Sequence, residues 1–565
     1  MLKPTPLMMS ASARFATSPP SGNDVDGMAT PSRSFNLADL FEGAAAALPQ
    51  QDAVVTGGVG VPTRRLTYAE LDARANQVAH VLRDLGVGAG DHVAVHAMNC
   101  LEFMEITMGV FKLRAVPVNG NFRYTADELA YVFNDAEVAA VFTQVGIERE
   151  AREAAGSLPI ITIGGDYDDA IEAASTMPVD VGPRSSDDRY LLYTGGTTGM
   201  PKGVIWRHED VFFGALGGTG APRQGLPKLE SPDDIGQFVT TGTGITRRLP
   251  LCPLIHGGAQ WIALTALLTG GTCLLTVDAS LDAGSALAFA SDEQAEFLMI
   301  IGDAVARPLA AELRRNHQLY DLSSLRLVSS SGAILSPAVK SELEEYLPAT
   351  KVIDRFGASE TGGQGRIKRS ADGTGPLQLL SDEHTTVIGD DGQPIEPGSG
   401  ERGKLARSGW IPLGYWKDEE KTAATFPTID GVRYSVPGDL ATVEADGSIS
   451  VFGRGSMVIN TGGEKVFPEE VEAAVKGHPA VFDALVVGVP DERFGSRVAA
   501  VVSLAEGAVA PSVEALADHC RSVIAGYKVP RDLVIVGEVV RKVTGKGDYS
   551  WAKTAALDAA AGVED

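Results

Sequence analysis

The residue types best suited to chemistry cluster in one short stretch, 193–204, which reads YTGGTTGMPKGV. Glycines let backbone N–H groups approach an anion closely, and successive N–H groups in a turn form an anion-binding concavity. The threonine hydroxyls add donors and the lysine adds a positive charge. The stretch therefore predicts a phosphate-binding loop. Its predicted contact residues are Thr194, Gly195, Gly196, Thr197, Thr198, Gly199 and Lys202.

The spacing of this loop differs from the GxxxxGK[ST] signature of P-loop NTPases, so the machinery of those enzymes is not implied. A solvated loop of glycine and threonine between two strands is the alternative interpretation. Companion motifs elsewhere in the chain must separate the two interpretations.

Six companion motifs follow the loop. They read PLCPLIHGG at 250–258, SSSGA at 329–333, DRFGASET at 354–361, YSVPGD at 434–439, FGRGSMVINTGGEK at 452–465 and RKVTGK at 541–546. Each alone has an ordinary explanation, because a lone histidine is usually structural and an aspartate after glycine is commonly a turn residue. Their joint occurrence is the informative observation.

Together these motifs resemble, in the same order, those of the adenylate-forming superfamily of acyl-CoA synthetases, nonribosomal adenylation domains and luciferases. The resemblance runs from about Ser34 to Lys553, nearly the whole chain. The phrases YTGGTTGMPKGVIWR and INTGGEKVFPEEVE resemble bacterial synthetases that activate fatty acids or steroid side-chain carboxylates. The resemblance implies an AMP-forming enzyme that uses ATP, Mg²⁺ and coenzyme A.

The resemblance also implies residue roles in an ATP site. The glycine and threonine loop would hold the β- and γ-phosphates, and Lys546 would reach the substrate carboxylate and the α-phosphate. Asp439 would accept hydrogen bonds from the ribose hydroxyls, while Glu360 would hold Mg²⁺ together with Thr194. The catalytic set is thus Lys546, Glu360, Thr194 and Lys202. The other implied nucleotide contacts are Gly332, Ala333, Arg355, Phe356, Gly357, Ser359, Arg454 and Lys465.

Three positions depart from the family's pattern. Phe356 stands where tyrosine is usual, so stacking on a base survives but the phenol hydrogen bond does not. Ser359 replaces threonine and keeps a hydroxyl near the α-phosphate. Pro437 replaces threonine and removes a backbone donor beside Asp439.

The histidine motif implies where the acid binds, because in the family it borders the acyl group. The predicted pocket residues are His256, Gly257, Gly258, Trp261 and Gly332. The two glycines followed by an apolar helix predict a wide pocket rather than an acetate-sized one. The expected substrate is a bulky hydrophobic carboxylic acid. A steroid side-chain acid is the specific expectation, and a medium- or long-chain fatty acid stays open.

The motif at 452–465 is similar to the hinge between the large and small domains of these enzymes. Ser456 occupies the hinge position, and Gly462 and Gly463 would approach coenzyme A. In the family, rotation about this hinge removes the lysine after acyl-AMP forms and lets the thiol enter.

Two other functions stay open at this point. The acyl acceptor could be a phosphopantetheine arm on a separate carrier protein, although no carrier domain is evident after Lys546. A nucleotide-binding regulator that retained the pocket is the non-enzyme alternative. The presence of Glu360, Asp439, Arg454 and Lys546 favours an enzyme over a regulator.

The elements that must position these motifs alternate between strand and helix, as around 91–118, which predicts an α/β fold of stacked, mostly parallel sheets. From Gly365 short strands and turns predict a β subdomain. A small α+β domain follows on a hinge. We expect a disordered extension over 1–33, with Met28 as an alternative start, a large AMP-binding domain over 34–455 and a small mobile domain over 456–565.

Composition and net charge restrict the binding partners and the cellular compartment that we expect. The net charge is 48 − 73 = −25, which argues against general affinity for nucleic acid or anionic membranes. The longest apolar run, 261–277, is broken by two glycines and is too short to span a bilayer, so no stable membrane insertion is expected. Four separated cysteines favour the reducing cytoplasm and predict no zinc site. A homodimer is left open.

Overall fold

The computed structural model describes residues 33–561, apart from 59, 195–199, 221–226, 242–245, 279, 334, 369–376, 455–456, 458, 462–463, 492–494, 525 and 543–545. The predicted disordered extension lies outside the described residues except for Arg33. The chain from Arg33 onward forms one unit by its contacts, so the boundary expected at 455/456 stays a prediction.

Helices cover both faces of the sheets. In the first half of the chain they are α1 (Leu37–Ala47), α2 (Tyr68–Asp84), α3 (Leu101–Lys112), α4 (Ala126–Asp135), α5 (Glu148–Ala155), α6 (Tyr167–Glu172), α7 (His208–Ala215), α8 (Ile235–Thr241) and α9 (Gly257–Leu268). Later in the chain they are α10 (Ala283–Asp292), α11 (Gly302–Asn316), α12 (Pro337–Tyr346), α13 (Glu419–Thr425), α14 (Pro468–Lys476), α15 (Val513–Arg521) and α16 (Tyr549–Ala561).

Strands occur in three stretches of the chain. The first stretch holds β1 (Asp52–Gly58), β2 (Val61–Thr67), β3 (His92–His96), β4 (Val116–Gly120), β5 (Val138–Gln144), β6 (Ile160–Ile163), β7 (Arg189–Thr194) and β8 (Lys202–Arg207). The second holds β9 (Arg247–Pro250), β10 (Thr272–Thr276), β11 (Phe297–Ile300), β12 (Leu327–Ser330), β13 (Lys351–Ala358), β14 (Gly362–Lys368), β15 (Leu377–Ser381), β16 (Thr385–Ile388), β17 (Gly403–Arg407), β18 (Gly414–Tyr415), β19 (Thr428–Ile429), β20 (Val432–Arg433), β21 (Asp439–Val443) and β22 (Ile449–Arg454). The third holds β23 (Ile459–Thr461), β24 (Glu464–Val466), β25 (Val481–Asp491), β26 (Gly495–Leu504) and β27 (Asp532–Val536).

Sequence signals account for several of these boundaries. The Thr67 hydroxyl accepts a hydrogen bond from the Glu70 N–H at the start of α2, and the Glu70 carboxylate accepts one from the Thr67 N–H. These two bonds confirm the predicted capping box. Pro468 occupies the first turn of α14, where a missing N–H costs nothing. Every residue of α3 is buried, because this helix lies between layers rather than at the surface. Among the residues described, no helix is both long and apolar enough to cross a bilayer.

The largest sheet dominates the part of the chain that the structure describes. Its thirteen strands run in the order β16-β17-β21-β22-β15-β14-β13-β12-β11-β9-β10-β1-β2. The stretch from β13 to β1 is parallel, whereas β14 and the strands beyond it pair antiparallel. The predicted antiparallel β region after Gly365 is present, and it continues the main sheet.

A second, four-stranded parallel sheet has the order β4-β3-β5-β6, and β7, β8 and β18 form a third sheet beside it. One large apolar core joins these layers, with the fully buried rings of Tyr68, Tyr190, Trp206 and Phe212 among its members. These layers confirm the predicted α/β fold class of stacked parallel sheets. Side-chain contacts bring residues after β13 and β18 together with those of β8, which pairs with β7.

The C-terminal part has its own small α+β core. Strand β25 pairs antiparallel with β26, and β26 pairs parallel with β27. Side chains of β25 alternate between the two faces, so that Val486 packs toward α14 and α15 while Leu485 and Val487 pack toward α16. This smaller domain carries Lys546 just before α16.

Candidate active site

A cavity of about 600 Å³ opens between the large sheet and the small domain. From the large sheet it is lined by the predicted site residues Gly332, Ala333, Arg355, Phe356, Gly357 and Asp439. From the small domain it is lined by Glu469, Lys528, Arg541 and Lys546, among others. Lys546 of the small domain and the predicted nucleotide contacts of the large domain therefore line the same cavity.

Phe356 supplies an apolar surface in this cavity. It lies on β13 opposite Gly365 of β14, and its partly buried ring packs on the buried apolar cluster of the antiparallel strands. Gly332 has a φ of +81°, a left-handed conformation that glycine adopts without strain. A flat ring beside a small-residue turn can accept a planar base by stacking.

Asp439 lies at the first residue of β21 and is only 8% exposed. Its backbone register partner is Arg454 on β22. The pairing explains why a carboxylate and an arginine fifteen residues apart in sequence belong to one site. For Arg454 and Lys465 the structure describes the backbone but not the side chains, and Ser456, Gly462 and Gly463 lie outside the described residues.

Glu360 lies in the turn between β13 and β14, outside the residues that line the cavity. The hydroxyl of Tyr415 donates to Glu360 Oε1 at 2.9 Å, and Ser435 Oγ donates to the Glu360 carbonyl at 2.6 Å. The indole N–H of Trp206 holds the neighbouring Ser359 carbonyl at 3.0 Å. One donor thus orients the carboxylate, while two others fix the backbone beside it. An oriented oxygen donor of this kind fits a hard cation such as Mg²⁺.

Lys202 begins β8 and its ammonium group forms an ion pair with Asp418. Its hydrogen bond holds the pKa of Asp418 below its ordinary value, and the bond from the Lys421 backbone adds to this effect. Asp418 also caps α13 by accepting from the Lys421 N–H at 3.0 Å. Lys202 therefore has a carboxylate counter-ion that an incoming phosphate would have to displace.

Tyr415 and Asp418 were missed by the sequence interpretation, although both contact predicted site residues. Tyr415 ends the short strand β18 and Asp418 follows three residues later. Strand β18 pairs with β8 so that Tyr415 lies opposite Val204. One segment of four residues thereby links the predicted magnesium ligand to the predicted phosphate lysine. The only sequence signal was the aromatic and charged cluster GYWKD at 414–418.

Thr194 ends β7 opposite Lys202, and its hydroxyl reaches the Lys202 carbonyl at 3.5 Å. The loop residues Gly195, Gly196, Thr197, Thr198 and Gly199 lie outside the described residues. Both ends of the loop are nevertheless fixed by the β7–β8 hairpin. The hairpin thus supplies a defined base for the predicted phosphate loop.

Asn119, at 8% exposure, ties the strand before this loop to the turn before His256. Its side-chain amide donates to the carbonyls of Tyr193 and Ile255, each at 2.8 Å, and its oxygen accepts from the Tyr193 N–H at 2.7 Å. A buried amide satisfied in this way rigidifies its surroundings. It ties the end of β7, after which the predicted phosphate loop begins, to the residue before His256.

The predicted acid-pocket residues adopt a different packing from the expected one. His256 is the residue before α9, and a Cβ on Gly257 would lie 2.3 Å from Leu192 while one on Gly258 would lie 2.6 Å from Met299. Neighbouring side chains therefore fill the space that the two glycines leave. Trp261 packs edge-on against Trp206 with ring centroids 6.0 Å apart. Of the predicted pocket residues, only Gly332 lines the cavity between the domains.

The two domains meet at an aromatic cluster next to the cavity. Phe452 of β22 and Phe467, the residue before α14, have ring centroids 5.4 Å apart. The guanidinium of Arg402 lies 5.0 Å from the Phe452 ring centre and 5.8 Å from that of Phe467. Such cation–π contacts contribute about 0.5–2 kcal/mol each. They stabilise the domain orientation in which Lys546 lines the cavity.

Two family models match the chain. The model described as AMP-binding enzyme matches residues 41–416, and the model described as AMP-binding enzyme C-terminal domain matches residues 470–546. The first match covers more than half of the chain. Every cavity residue named above from Gly332 to Phe356 falls within it.

Curated relatives and solved structures agree with the family models. The 3-oxocholest-4-en-26-oate–CoA ligase of Rhodococcus rhodochrous is 44% identical over 545 residues, covering 92% of this chain and 96% of that protein. A medium/long-chain-fatty-acid–CoA/3-oxocholest-4-en-26-oate–CoA ligase of Mycolicibacterium smegmatis is 44% identical over 544 residues with the same coverage. The crystal structure of an anthranilate CoA ligase in complex with anthranoyl-AMP superposes with a TM-score of 0.79 at 26% identity, covering 93% of this chain and 98% of that one.

The family matches, the identity over nearly the full length and the shared fold lead to one conclusion. The chain belongs to the AMP-binding enzymes, among the acyl-CoA synthetases of the adenylate-forming superfamily.

Proposed function

We propose that the protein converts a bulky hydrophobic carboxylic acid into its CoA thioester, and that a steroid side-chain acid is the substrate. The observation that carries the proposal is the 44% identity, over 92% of the chain, to ligases whose names contain a steroid acid. The name of the Mycolicibacterium smegmatis ligase also contains medium- and long-chain fatty acids, which are the second candidate. Leu192 and Met299 pack against the two glycines after His256. These glycines therefore give no independent support for a wide pocket.

In the first half-reaction a carboxylate oxygen of the acid attacks the α-phosphorus of ATP. The new oxygen–phosphorus bond forms as the bond to the bridging oxygen breaks, which gives acyl-AMP and pyrophosphate. Catalysis of this kind depends on positioning and charge neutralisation rather than on a protein nucleophile. Lys546 stabilises the charge at the α-phosphate, Asp439 binds the ribose and Phe356 stacks on the base.

The phosphate end of ATP is bound at the β7–β8 hairpin, where Lys202 exchanges Asp418 for a phosphate. Glu360, with Tyr415 donating to it, and Thr194 would hold the metal ion, which would supply charge neutralisation when bound. The described oxygen donors fit Mg²⁺ better than a softer metal. Removal of divalent cations by chelation is therefore expected to abolish the first half-reaction.

In the second half-reaction the CoA thiolate attacks the acyl carbon, and the carbon–oxygen bond to AMP breaks. Lys546 must leave first, by rotation of the small domain about Ser456, so that Gly462 and Gly463 approach the thiol from the same side. A thiol on a carrier protein is the alternative acceptor. Both curated relatives cited above are named CoA ligases, which favours free CoA.

The test is a ligation assay over acids of graded size, with ATP, Mg²⁺ and CoA, read by mass spectrometry of the thioester. We expect kcat/KM to be highest for C26- or C24-type steroid acids, lower for medium- and long-chain fatty acids and lowest for acetate. A maximum at acetate or propionate would refute the substrate proposal. A cytoplasmic location and a homodimer are further proposals, which fractionation and light scattering test.

A further inference from the structure

The segment that carries Lys546 is bounded by backbone contacts on both sides. Arg541 forms an antiparallel bridge with Gly547, and the Lys542 N–H donates to the Lys546 carbonyl at 2.7 Å. These contacts hold residues 541–542 against residues 546–547, and these four residues are called the lysine loop below. The exposed Lys546 side chain lines the cavity, so its place there depends on how the lysine loop is attached to the small domain.

An ion pair makes that attachment. Arg541 donates to Asp483 twice, from Nε to Oδ2 and from Nη2 to Oδ1, each at 2.7 Å. Lys476, at 2% side-chain exposure, lies 3.7 Å from Asp483 Oδ1. Burial raises the pKa of Asp483, but the bond from Arg541 and the charge of Lys476 outweigh it, so the net pKa lies below its ordinary value. Asp483 is therefore ionised and anchors Arg541 through two hydrogen bonds.

Packing on the other side of Lys546 depends on the same strand. A Cβ on Gly547 would lie 2.2 Å from the side chain of Leu485, so the chain after Lys546 runs directly against β25. Tyr549 begins α16, and its hydroxyl hydrogen-bonds to the buried carboxyl of Glu472 on α14. Asp483 and Leu485 thus contact the lysine loop on its two flanks.

The strand β25 also contacts the large domain at this point. Phe482, next to Asp483, is 45% exposed, and the guanidinium of Arg307 on α11 lies 5.4 Å from its ring centre. The anchor of the lysine loop and a contact between the domains therefore occupy adjacent residues. An anchor at this place orients Lys546 in the domain arrangement where the lysine lines the cavity.

We propose that Asp483 is a positioning residue for adenylation, which acts through Arg541 to hold Lys546 at the cavity. The inference rests on the proposed role of Lys546 in acyl-AMP formation. Asp483 contacts neither substrate nor nucleotide in this account. Its loss should slow the first half-reaction and spare the second, in which Lys546 has left the site.

The test uses Asp483→Asn in the full-length enzyme, because asparagine keeps the size and removes the charge. We expect acid-dependent ATP–pyrophosphate exchange to fall by about tenfold to a hundredfold, the scale of a misplacement of about 1 Å. Thioester formation from synthetic acyl-AMP and CoA should stay within twofold of the wild type. The control is Asp532→Asn, which removes the partner of Arg497 in an ion pair of 2.6 Å elsewhere in the small domain. The control should leave both half-reactions unchanged.

A double substitution separates positioning from a general structural effect. In a Lys546→Ala background, Asp483→Asn should cause no further loss of exchange, because no lysine remains to be positioned. An independent further loss of tenfold or more would overturn the proposal, as would equal loss of both half-reactions in the single variant. If Asp483→Asn does not fold, Arg541→Lys and Arg541→Gln replace it. We expect Arg541→Lys to lose part of the ATP–pyrophosphate exchange and Arg541→Gln to show the full loss.

The same assays distinguish this inference from the proposed function. If wild type makes no thioester from acyl-AMP and CoA, the proposed function fails whatever Asp483 does. If wild type is active but Asp483→Asn equals wild type in exchange, only the positioning role fails.

Discussion

Replacement of Lys546 by alanine should affect the two half-reactions unequally. The lysine lines the same cavity as Phe356 and Asp439. In the proposed mechanism it belongs to the domain that rotates, so it is present at the reacting atoms during adenylation and absent during thioester formation. Lys553, an exposed lysine on α16, offers a matched control that removes the same charge from the same domain.

The magnitude follows from the position of Lys546. An ammonium about 4 Å from a phosphate oxygen, at an effective dielectric near 20, contributes about 4 kcal/mol. At about 1.36 kcal/mol per tenfold change in rate, full use of this interaction is worth about 10³. The side chain is solvent-exposed in this structure, which screens part of the charge. We therefore expect a loss of about 10²–10³ in adenylation, the range measured for single preorganised donors.

The assay compares acid-dependent ATP–pyrophosphate exchange with thioester formation from synthetic acyl-AMP. Lys546→Ala should lose the first activity and keep most of the second, while Lys553→Ala should keep both. Equal loss of both activities by Lys546→Ala would refute the alternation of domains. The lysine would then be structural or common to both steps.

Four further outcomes are expected. Glu360→Gln should raise the Mg²⁺ concentration needed for half-maximal exchange by at least tenfold with the melting temperature unchanged, and an unaltered Mg²⁺ titration would remove the metal assignment. Asp418→Asn keeps the helix cap but removes the counter-ion of Lys202, so KM for ATP should fall. The fall should be at most about fivefold, because the ion pair is partly exposed. A higher KM would show that the ion pair assists ATP binding. Ser456→Pro restricts φ and should impair thioester formation while exchange is kept. The value of kcat/KM should rise with the apolar area of the acid up to the size of a steroid acid. A maximum of kcat/KM for acids with fewer than eight carbons would contradict the bulky-acid proposal.

Local signals in the sequence were sufficient for many elements. The capping box at Thr67 and the proline at 468 mark helix starts through contacts within one turn, and both helices begin there. Alternating strands and helices were enough to predict parallel layers. These features depend on residues that are neighbours in sequence, which is why pattern alone recovers them.

Contacts between distant residues could not be predicted in the same way. Tyr415 and Glu360 are 55 residues apart, and Lys202 and Asp418 are 216 apart, so neither pair has a local signature. The antiparallel strands after Gly365 joined the main sheet because their partners are chosen by tertiary packing. Glycines 257 and 258 were interpreted as open space, whereas side chains from β7 and β11 fill it.

The central claim is that the acid itself attacks the α-phosphorus and that the acyl group then leaves AMP for a thiol. The most direct measurement uses a steroid side-chain acid labelled with ¹⁸O in both carboxyl oxygens, together with ATP, Mg²⁺ and CoA. Mass spectrometry of the products should find one ¹⁸O atom in AMP and one in the carbonyl of the CoA thioester, with unlabelled pyrophosphate. Unlabelled AMP, or ADP with the label in inorganic phosphate, would contradict the account.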